Sequence, residues 1–587
     1  MKDPSNQTRV TCRLEHPQGC IASSLFISQH PLADGLSAAM KFEDATQGQR
    51  DWRFWFIFLC VMLVRFITAL ELSIVSTALP TIVNTLHGTQ FVWIGSAYTL
   101  CSTAFVPLSG SLADIFGRKI LISGSIAIFA VGSVLCGASN SLNFLIAGRA
   151  VQGLGAGGLA SLCHIILSDL VPLEKRGVYN GLLTISYIIG NGTGPVLGGW
   201  LAQSGQWRWI FYLNIPICGL TMGLVFLFLN LPCPPGVFST KIKKIDPVEN
   251  ILIVASMTSL TIGLTWGGVQ YAWSSPRILA SLILGCLGLA VFLWYEFKVA
   301  TNPIVPPELL SARTALSGFI QTSSLFIVLT CILYYMPVYF QACKDASPIA
   351  SGVDIFGIAF SVAPSALLVG LSITKTRQYR PQIWLSWSLV IVGLAMFSTL
   401  SVDSSRAKAI GFQLISGAGL GMMTAAVFFP ILAPLPVESN AHAIALYTFF
   451  RNFSNILAVT IGASVLQNEL GKRLPPTFSG QFPGGTPTAY SIIPLIRTLS
   501  DPLKGEIQVA FANSLRVVWR VLLGVSGAGL LGSLAMEGLP LHTSVDKKWA
   551  MNTGIDVELE KADCEKVDRE TQFSSHKTVP LESIVVS

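Results

Sequence analysis

Charge is what this sequence has least of. Asp, Glu, Lys and Arg supply 12% of its 587 residues, about half the share found in an average soluble domain. A chain so poor in charge cannot clothe a large globular core for water, which excludes the ordinary soluble classes. Metal and disulfide frameworks find no support either. The twelve cysteines and seven histidines form no C-x-x-C pair and no His/Cys cluster at ligand spacing. Cys60, Cys101, Cys136, Cys163, Cys218, Cys286 and Cys331 lie within apolar runs, where a thiol serves as a small hydrophobic side chain. No Walker-type loop is present to hold nucleotide phosphates, so neither a cofactor nor a metal is expected. The net charge of +7 is scattered over short loops and tails, without the basic stripe that a nucleic-acid partner requires.

What fills the chain instead is apolar. Hydrophobic residues make up 51% and the mean hydropathy is +0.60. Runs of roughly 20 residues, the length of one helical crossing, recur near 54–79, 91–111, 119–138, 142–166, 178–201, 209–230, 248–268, 278–297, 315–340, 352–374, 383–400, 408–430, 442–466 and 514–535. The pattern predicts an all-α polytopic membrane protein with about fourteen transmembrane helices. Residues 1–52 are polar and lack the basic-then-apolar pattern of a cleaved signal. They are expected to form a cytosolic tail, as are residues 537–587, while 467–513 forms a long outer loop rich in Pro, Gly and Thr. Orientation follows from the excess of Lys and Arg in cytoplasmic loops. Arg118, Lys119, Lys175, Arg176, Lys241, Lys243, Lys244, Lys298, Arg313, Lys375, Arg377 and Arg380 fall on one side, against Arg208, Arg277, Lys344, Arg406 and Lys408 on the other. Both termini are therefore expected in the cytosol.

Against that background, intramembrane charge stands out. An arginine at a helix centre costs about 2.5 to 3.5 kcal/mol or more to insert, so it should face protein or water, and it marks a functional site by default. Arg149 and Gln152 occupy the fourth span. Glu71 in the first span and Arg149 each lie roughly 10 Å below the outer boundary at 1.5 Å per residue, and can meet if their helices are neighbours. Such a carboxylate can take up or release a proton as its surroundings alternate; a static buried ion pair is the other reading. Arg65 is six residues from Glu71, on another helix face. Arg451 sits mid-span in the thirteenth, with Ser454 and Asn455 at i+3 and i+4 as candidate partners. Either arginine could bind an anionic substrate group or neutralise a neighbour.

An internal repeat is also present. Gly153-Leu-Gly-Ala-Gly-Gly158 in the fourth span reads like Gly417-Ala-Gly-Leu-Gly-Met422 in the twelfth, placing Gln413 where Arg149 stands. Repeats packed around a central site are a usual construction of secondary transporters. Gly190, Gly194 and Gly198 share one helix face, with Pro195 and Gly199 beside them, so another backbone can approach closely and a kink is invited.

Several stretches resemble one family. Gly110-Ser-Leu-Ala-Asp114-Ile-Phe-Gly117-Arg118-Lys119 closely resembles the signature loop of the major facilitator superfamily, and Arg149, Gln152 and the following glycines resemble its fourth-helix pattern. Gly190-Asn-Gly-Thr-Gly194-Pro195-Val-Leu-Gly198-Gly199 is similar to the fifth-helix pattern of drug:proton antiporters. Leu70-Glu71 through Pro80, Trp207 through Pro216, Leu264 through Gly268, Tyr339-Phe-Gln341 and Ser347 through Gly352 resemble the fourteen-span branch, chiefly fungal exporters of drugs and secondary metabolites. The resemblance covers about 52–550. Glu71 replaces the branch's usual Asp, and Gln378 stands where a glycine is more common.

The resemblance implies two six-helix bundles, 53–230 and 314–536, with two inserted helices in 231–313. It implies proton-coupled efflux of a small organic molecule by alternating access, and no enzymatic step. Proton coupling falls to Glu71 and Arg149, and a conformational latch to Gly110, Asp114, Gly117, Arg118 and Lys119. Arg65, Tyr98, Gln152, Tyr187, Tyr335, Gln341, Gln413 and Arg451 are cavity candidates. A monomer in the plasma membrane is expected, with an internal membrane such as the vacuole as the alternative. A proton-coupled importer or a non-transporting nutrient receptor would share the fold. Gly153-x-Gly155-x-x-Gly158 mimics a dinucleotide fingerprint but follows helix rather than strand. His164 is read as a satisfied polar contact before a proton carrier, and Asn6, Asn191 and Asn452 as unused glycosylation patterns.

Overall fold

A sequence of long apolar runs broken by short polar turns satisfies its backbone inside the bilayer only as helices, and helices are what it forms. The computed structural model describes residues 52–86, 92–229, 246–267, 271–300, 303, 305–475, 493 and 496–541. The expected tails, apart from Trp52 and residues 537–541, lie outside the described residues, as do Lys241, Lys243, Lys244 and 476–492 of the outer loop.

The long helices are α1 (Trp52–Leu86), α2 (Val92–Phe116), α3 (Arg118–Gly137), α4 (Leu142–Leu170), α5 (Leu173–Gln203), α6 (Trp209–Phe228, interrupted at Leu213), α7 (Pro247–Trp266), α8 (Pro276–Lys298), α9 (Arg313–Cys343), α10 (Phe356–Thr376), α11 (Arg380–Phe397), α12 (Arg406–Ala426), α13 (Asn440–Arg473) and α14 (Leu503–Leu534). Among the described residues, thirteen segments are long and apolar enough to cross a membrane. α5 is 31 residues long but is not one of the thirteen, because Asn180, Asn191, Thr193 and its glycines dilute its apolar content. Helix also enters the stretch 467–513. α13 continues past the apolar run to Arg473, where Lys472 and Arg473 pair with Glu469 at 2.9 and 2.7 Å and suit the negative end of the helix.

The repeat is visible in backbone contacts. Gly153 and Gly157 on α4 press against Tyr98 and Ser102 of α2, while Gly155 meets Ser125 and Phe129 of α3. On α12, Gly417 and Gly421 press against Ile358 and Val362 of α10, and Gly419 meets Ser386 and Val390 of α11. Even the polar positions correspond. Arg149 Nε donates to the Ile94 carbonyl at 2.9 Å, and Gln413 Nε2 donates to the Asp354 carbonyl at 3.0 Å. The two halves meet where α2 packs on α13 and α5 on α10, and α7 lies against α2, α8 and α13.

Candidate functional site

The deepest polar cluster grows from Glu71. Its side chain is wholly enclosed and Arg149 is 2% exposed, so each charge must find partners within the protein. Arg149 Nη1 donates to Glu71 Oε1 and to Gln152 Oε1 at 2.7 Å, and its guanidinium lies 4.3 Å from the centre of the Tyr98 ring. Asn214 of α6 donates to the second carboxylate oxygen of Glu71 at 2.6 Å. Ser133 of α3 accepts from Gln152 at 2.9 Å and from Asn214 at 3.4 Å. Groups from α1, α2, α3, α4 and α6 thus form one network around the Glu71–Arg149 pair. Glu71 and Arg149 meet, as their equal depths in the sequence predict, while Asn214 and Ser133 join them without having been expected. Asn214 stands in the stretch entering the sixth span, and a buried amide among apolar neighbours was the available signal.

A second cluster closes the end that bears the basic turns. Gly117 has φ 90°, a conformation that a side chain would strain, and this turn sets Arg118 at the start of α3. Arg118 Nη1 donates to Asp114 at 2.6 Å and to the Ala113 carbonyl at 3.0 Å, while its Nε donates to Asp169 at 2.9 Å. Lys119 reaches the Phe226 carbonyl at 3.1 Å. Asp169 ends α4 and carried no sequence signal beyond being acidic in an apolar span. Asp114 also faces the second half, with its Oδ2 3.3 Å from His442 Nδ1 of α13. Gly110 allows this approach, since a methyl group there would meet the Ala441 carbonyl at 3.2 Å and the Ala445 side chain at 3.0 Å.

The same end is closed between α5 and α10. Gly177 packs directly on Gly370 and Gly181 on Leu367, Arg377 pairs with Glu174 at 3.3 Å, and Thr374 donates to the Glu174 carbonyl at 3.0 Å. Ile189, Gly192, Thr193, Val196 and Leu197 of α5 and Phe356 of α10 line an open groove of about 390 Å³.

The fifth-span glycines divide. Gly190 packs on Phe66 and Ala69 of α1, and Gly194 on Ser73 and Ile74. Gly198 is buried, whereas Gly199 has open space where a methyl group would stand. α5 runs unbroken through Pro195, whose side chain lies outside the described residues.

The cavity candidates also divide. Tyr98 and Gln152 belong to the Glu71 cluster. Tyr335 is fully buried against Gly462, and its hydroxyl donates to the Val459 carbonyl at 2.9 Å. Gln341 donates to Ser351 at 2.8 Å and Gln413 is fully buried against the Asp354 carbonyl, so both hold elements of the second half together. In helices apolar all round, periodicity cannot tell which face a polar residue takes.

Arg65, Tyr187 and Arg451 do come together. The two guanidinium carbons lie 4.8 and 5.2 Å from the Tyr187 ring centre, so they are no more than about 10 Å apart. Arg451 also lies 5.0 Å from the Phe326 ring. Ser454 and Asn455 do not serve Arg451 as expected: Asn455 accepts from Thr330 at 2.7 Å, and Ser454 Oγ has no partner among the described residues. Desolvating each cation costs several kcal/mol, and two such charges 10 Å apart repel by about 1.7 kcal/mol at an effective dielectric of 20. A cation over a desolvated ring regains about 2 kcal/mol or more.

Known proteins match this chain along most of its length. The MFS-type transporter pydD of Acremonium sp is 36% identical over 511 residues, covering 86% of this chain and 89% of the relative. The MFS-type efflux pump LUC4 of Fusarium sp is 35% identical over 508 residues, covering 85% and 90%. The crystal structure of the human organic anion transporter MFSD10 (TETRAN) superposes with a TM-score of 0.53 at 13% identity, covering 83% of this chain and all of that one, which is a likeness of fold alone. With the sequence profile of that family matching residues 61–459, the chain belongs to the Major Facilitator Superfamily.

Proposed function

We propose that this multi-pass membrane protein exports a small organic molecule in exchange for protons by alternating access. The observation that carries the mechanism is the buried Glu71 cluster. A carboxylate enclosed with Arg149 and Asn214 is a group whose protonation must follow any rearrangement of α1 against α4 and α6. The direction is supported by relatives whose names describe efflux pumps. Closure at the basic-turn end, with a groove between α5 and α10 at the other, fits an outward-facing state in which Asp114, Arg118, Lys119, Gly110 and Gly117 latch the inner side. Thirteen apolar segments and α5 make fourteen crossings in this reading, arranged as two halves plus α7 and α8, with both termini in the cytosol. The reading places one copy as the working unit in the plasma membrane and involves transport rather than catalysis.

The driving force suffices without ATP. One proton crossing about 100 mV releases about 2.3 kcal/mol, and one pH unit adds about 1.4 kcal/mol. Together they sustain a several-hundred-fold gradient of a neutral solute. The test is efflux of labelled drugs and small metabolites from intact cells expressing the chain, with and without a protonophore. Protonophore-sensitive loss of a compound is expected; protonophore-sensitive accumulation would make the protein an importer and refute the direction.

A further inference from the structure

Resting on the export reading, the arginine pair says what kind of molecule is carried. Arg65 and Arg451 are 6% and 7% exposed, and among the described residues neither forms an ion pair. The groups that act electrostatically on Arg65 are Arg451, Cys163, Tyr187 and Tyr447, and none is a carboxylate. Both Nε atoms are buried without a hydrogen-bond partner. Every other deeply buried arginine in the two clusters above is matched: Arg149 by Glu71, and Arg118 by Asp114 and Asp169. The Tyr187 hydroxyl bonds to Arg451, but among the described residues no carboxylate pairs with either cation, and two buried charges without a counter-charge are a standing demand for an anion.

Their position suits a transported one. Arg65 belongs to α1 and Tyr187 to α5 of the first half, while Arg451 belongs to α13 and Phe326 to α9 of the second, so the site spans the seam that alternating access would open to either side. Aromatic groups surround it. Phe326 and Phe428 pack on Tyr447 at 6.3 and 4.3 Å, and His164 lies 5.1 Å from Phe428. Guanidinium forks bind a carboxylate through paired hydrogen bonds, and flat rings offer their faces to an unsaturated carbon skeleton.

We propose that Arg65 and Arg451 together bind the carboxylate of an aromatic or conjugated organic acid between the two halves, so that the exported molecules are organic anions. The pair acts as the specificity device. Glu71 and Arg149 stand apart from it and answer to the proton.

The test uses the full-length protein purified in detergent, with 2-naphthoate and 9-anthroate as probes, each compared with its neutral carboxamide by calorimetry. Wild type is expected to bind each acid at least tenfold more tightly than its amide. Arg65→Gln and Arg451→Gln should bring acid and amide within about twofold, and Arg451→Lys, which keeps the charge but loses the fork, should fall between. The wild-type comparison stands even if a glutamine variant fails to fold. Equal affinity for acid and amide, binding of neither pair, or intact discrimination in both folded glutamine variants would overturn the proposal. Protonophore-sensitive efflux of neutral compounds, undiminished in Arg65→Gln and Arg451→Gln, would overturn the anion site and leave export standing. Acid-selective binding without protonophore-sensitive efflux would do the reverse.

Discussion

The contact between Gly177 and Gly370 is the most direct handle on alternating access. A methyl group added at Gly177 would meet the Gly370 Cα at 2.8 Å and the Phe429 ring at 3.2 Å, and one added at Gly370 would meet the backbone of Gly177 and Val178. Backbone atoms cannot step aside by changing rotamer, so α5 and α10 must separate. Overpacking of this kind costs about 1 to 3 kcal/mol, and it weighs only on the state in which this seam is closed. At 1.4 kcal/mol per factor of ten, Gly177→Ala should therefore lower the ratio of inner-closed to inner-open molecules by about 5- to 150-fold. Hydrogen–deuterium exchange of the purified protein reads this out. Amides in 173–181 and 366–376 should exchange faster, and those in 189–200 more slowly as the opposite ends come together. Gly199→Ala is the control, because nothing lies within 4 Å of the added methyl. Unchanged exchange at both ends of α5 in Gly177→Ala, or an equal effect of Gly199→Ala, would show that this seam does not govern the opening of α5 against α10.

Further consequences follow from the two polar clusters. Arg149→Gln removes the cation shared by Glu71, Gln152 and the Ile94 carbonyl, and breaking a buried pair in this way costs about 3 to 5 kcal/mol. Glu71→Gln leaves Arg149 its other acceptors and the Tyr98 ring, so thermal denaturation in detergent should rank Arg149→Gln below Glu71→Gln; the opposite order would contradict the assignment of partners. Asn214→Leu should lose about 1.5 to 3 kcal/mol, the worth of a hydrogen bond to a charged group, and a melting temperature equal to wild type would remove Asn214 from the cluster. Asp114→Asn weakens the tie to Arg118 and His442 while leaving Asp169 in place. It should raise exchange at the start of α13 without loss of expression, and unaltered exchange there would argue against a latch.

How far the chain could be read in advance depended on distance along it. Helices were legible because each needs only its own apolar run, and the repeat because glycines mark where backbones touch. Glu71 and Arg149 could be matched by depth, since rise per residue converts sequence into height. Azimuth is another matter. Tyr335 turned inward to α13, and Asn455 turned to Thr330 rather than Arg451, because helices apolar on every side do not announce a face. Asn214, Asp169 and His442 escaped notice for a related reason. Each acts on a residue in another helix, 143, 51 and 328 positions away respectively, and only packing brings those helices together. The length of α13 was hidden because ion pairs of Glu469 with Lys472 and Arg473, not hydrophobicity, carry its last turn.

The central claim is that Glu71 carries the proton that drives export. Its most direct test reconstitutes wild type and Glu71→Gln into liposomes with a substrate found in the cell assay, then compares uphill transport under an imposed proton gradient with exchange of labelled for unlabelled substrate at equal pH. Glu71→Gln is expected to lose uphill transport and keep exchange, since only the former needs a proton to cross. Uphill transport that survives in Glu71→Gln would contradict the claim.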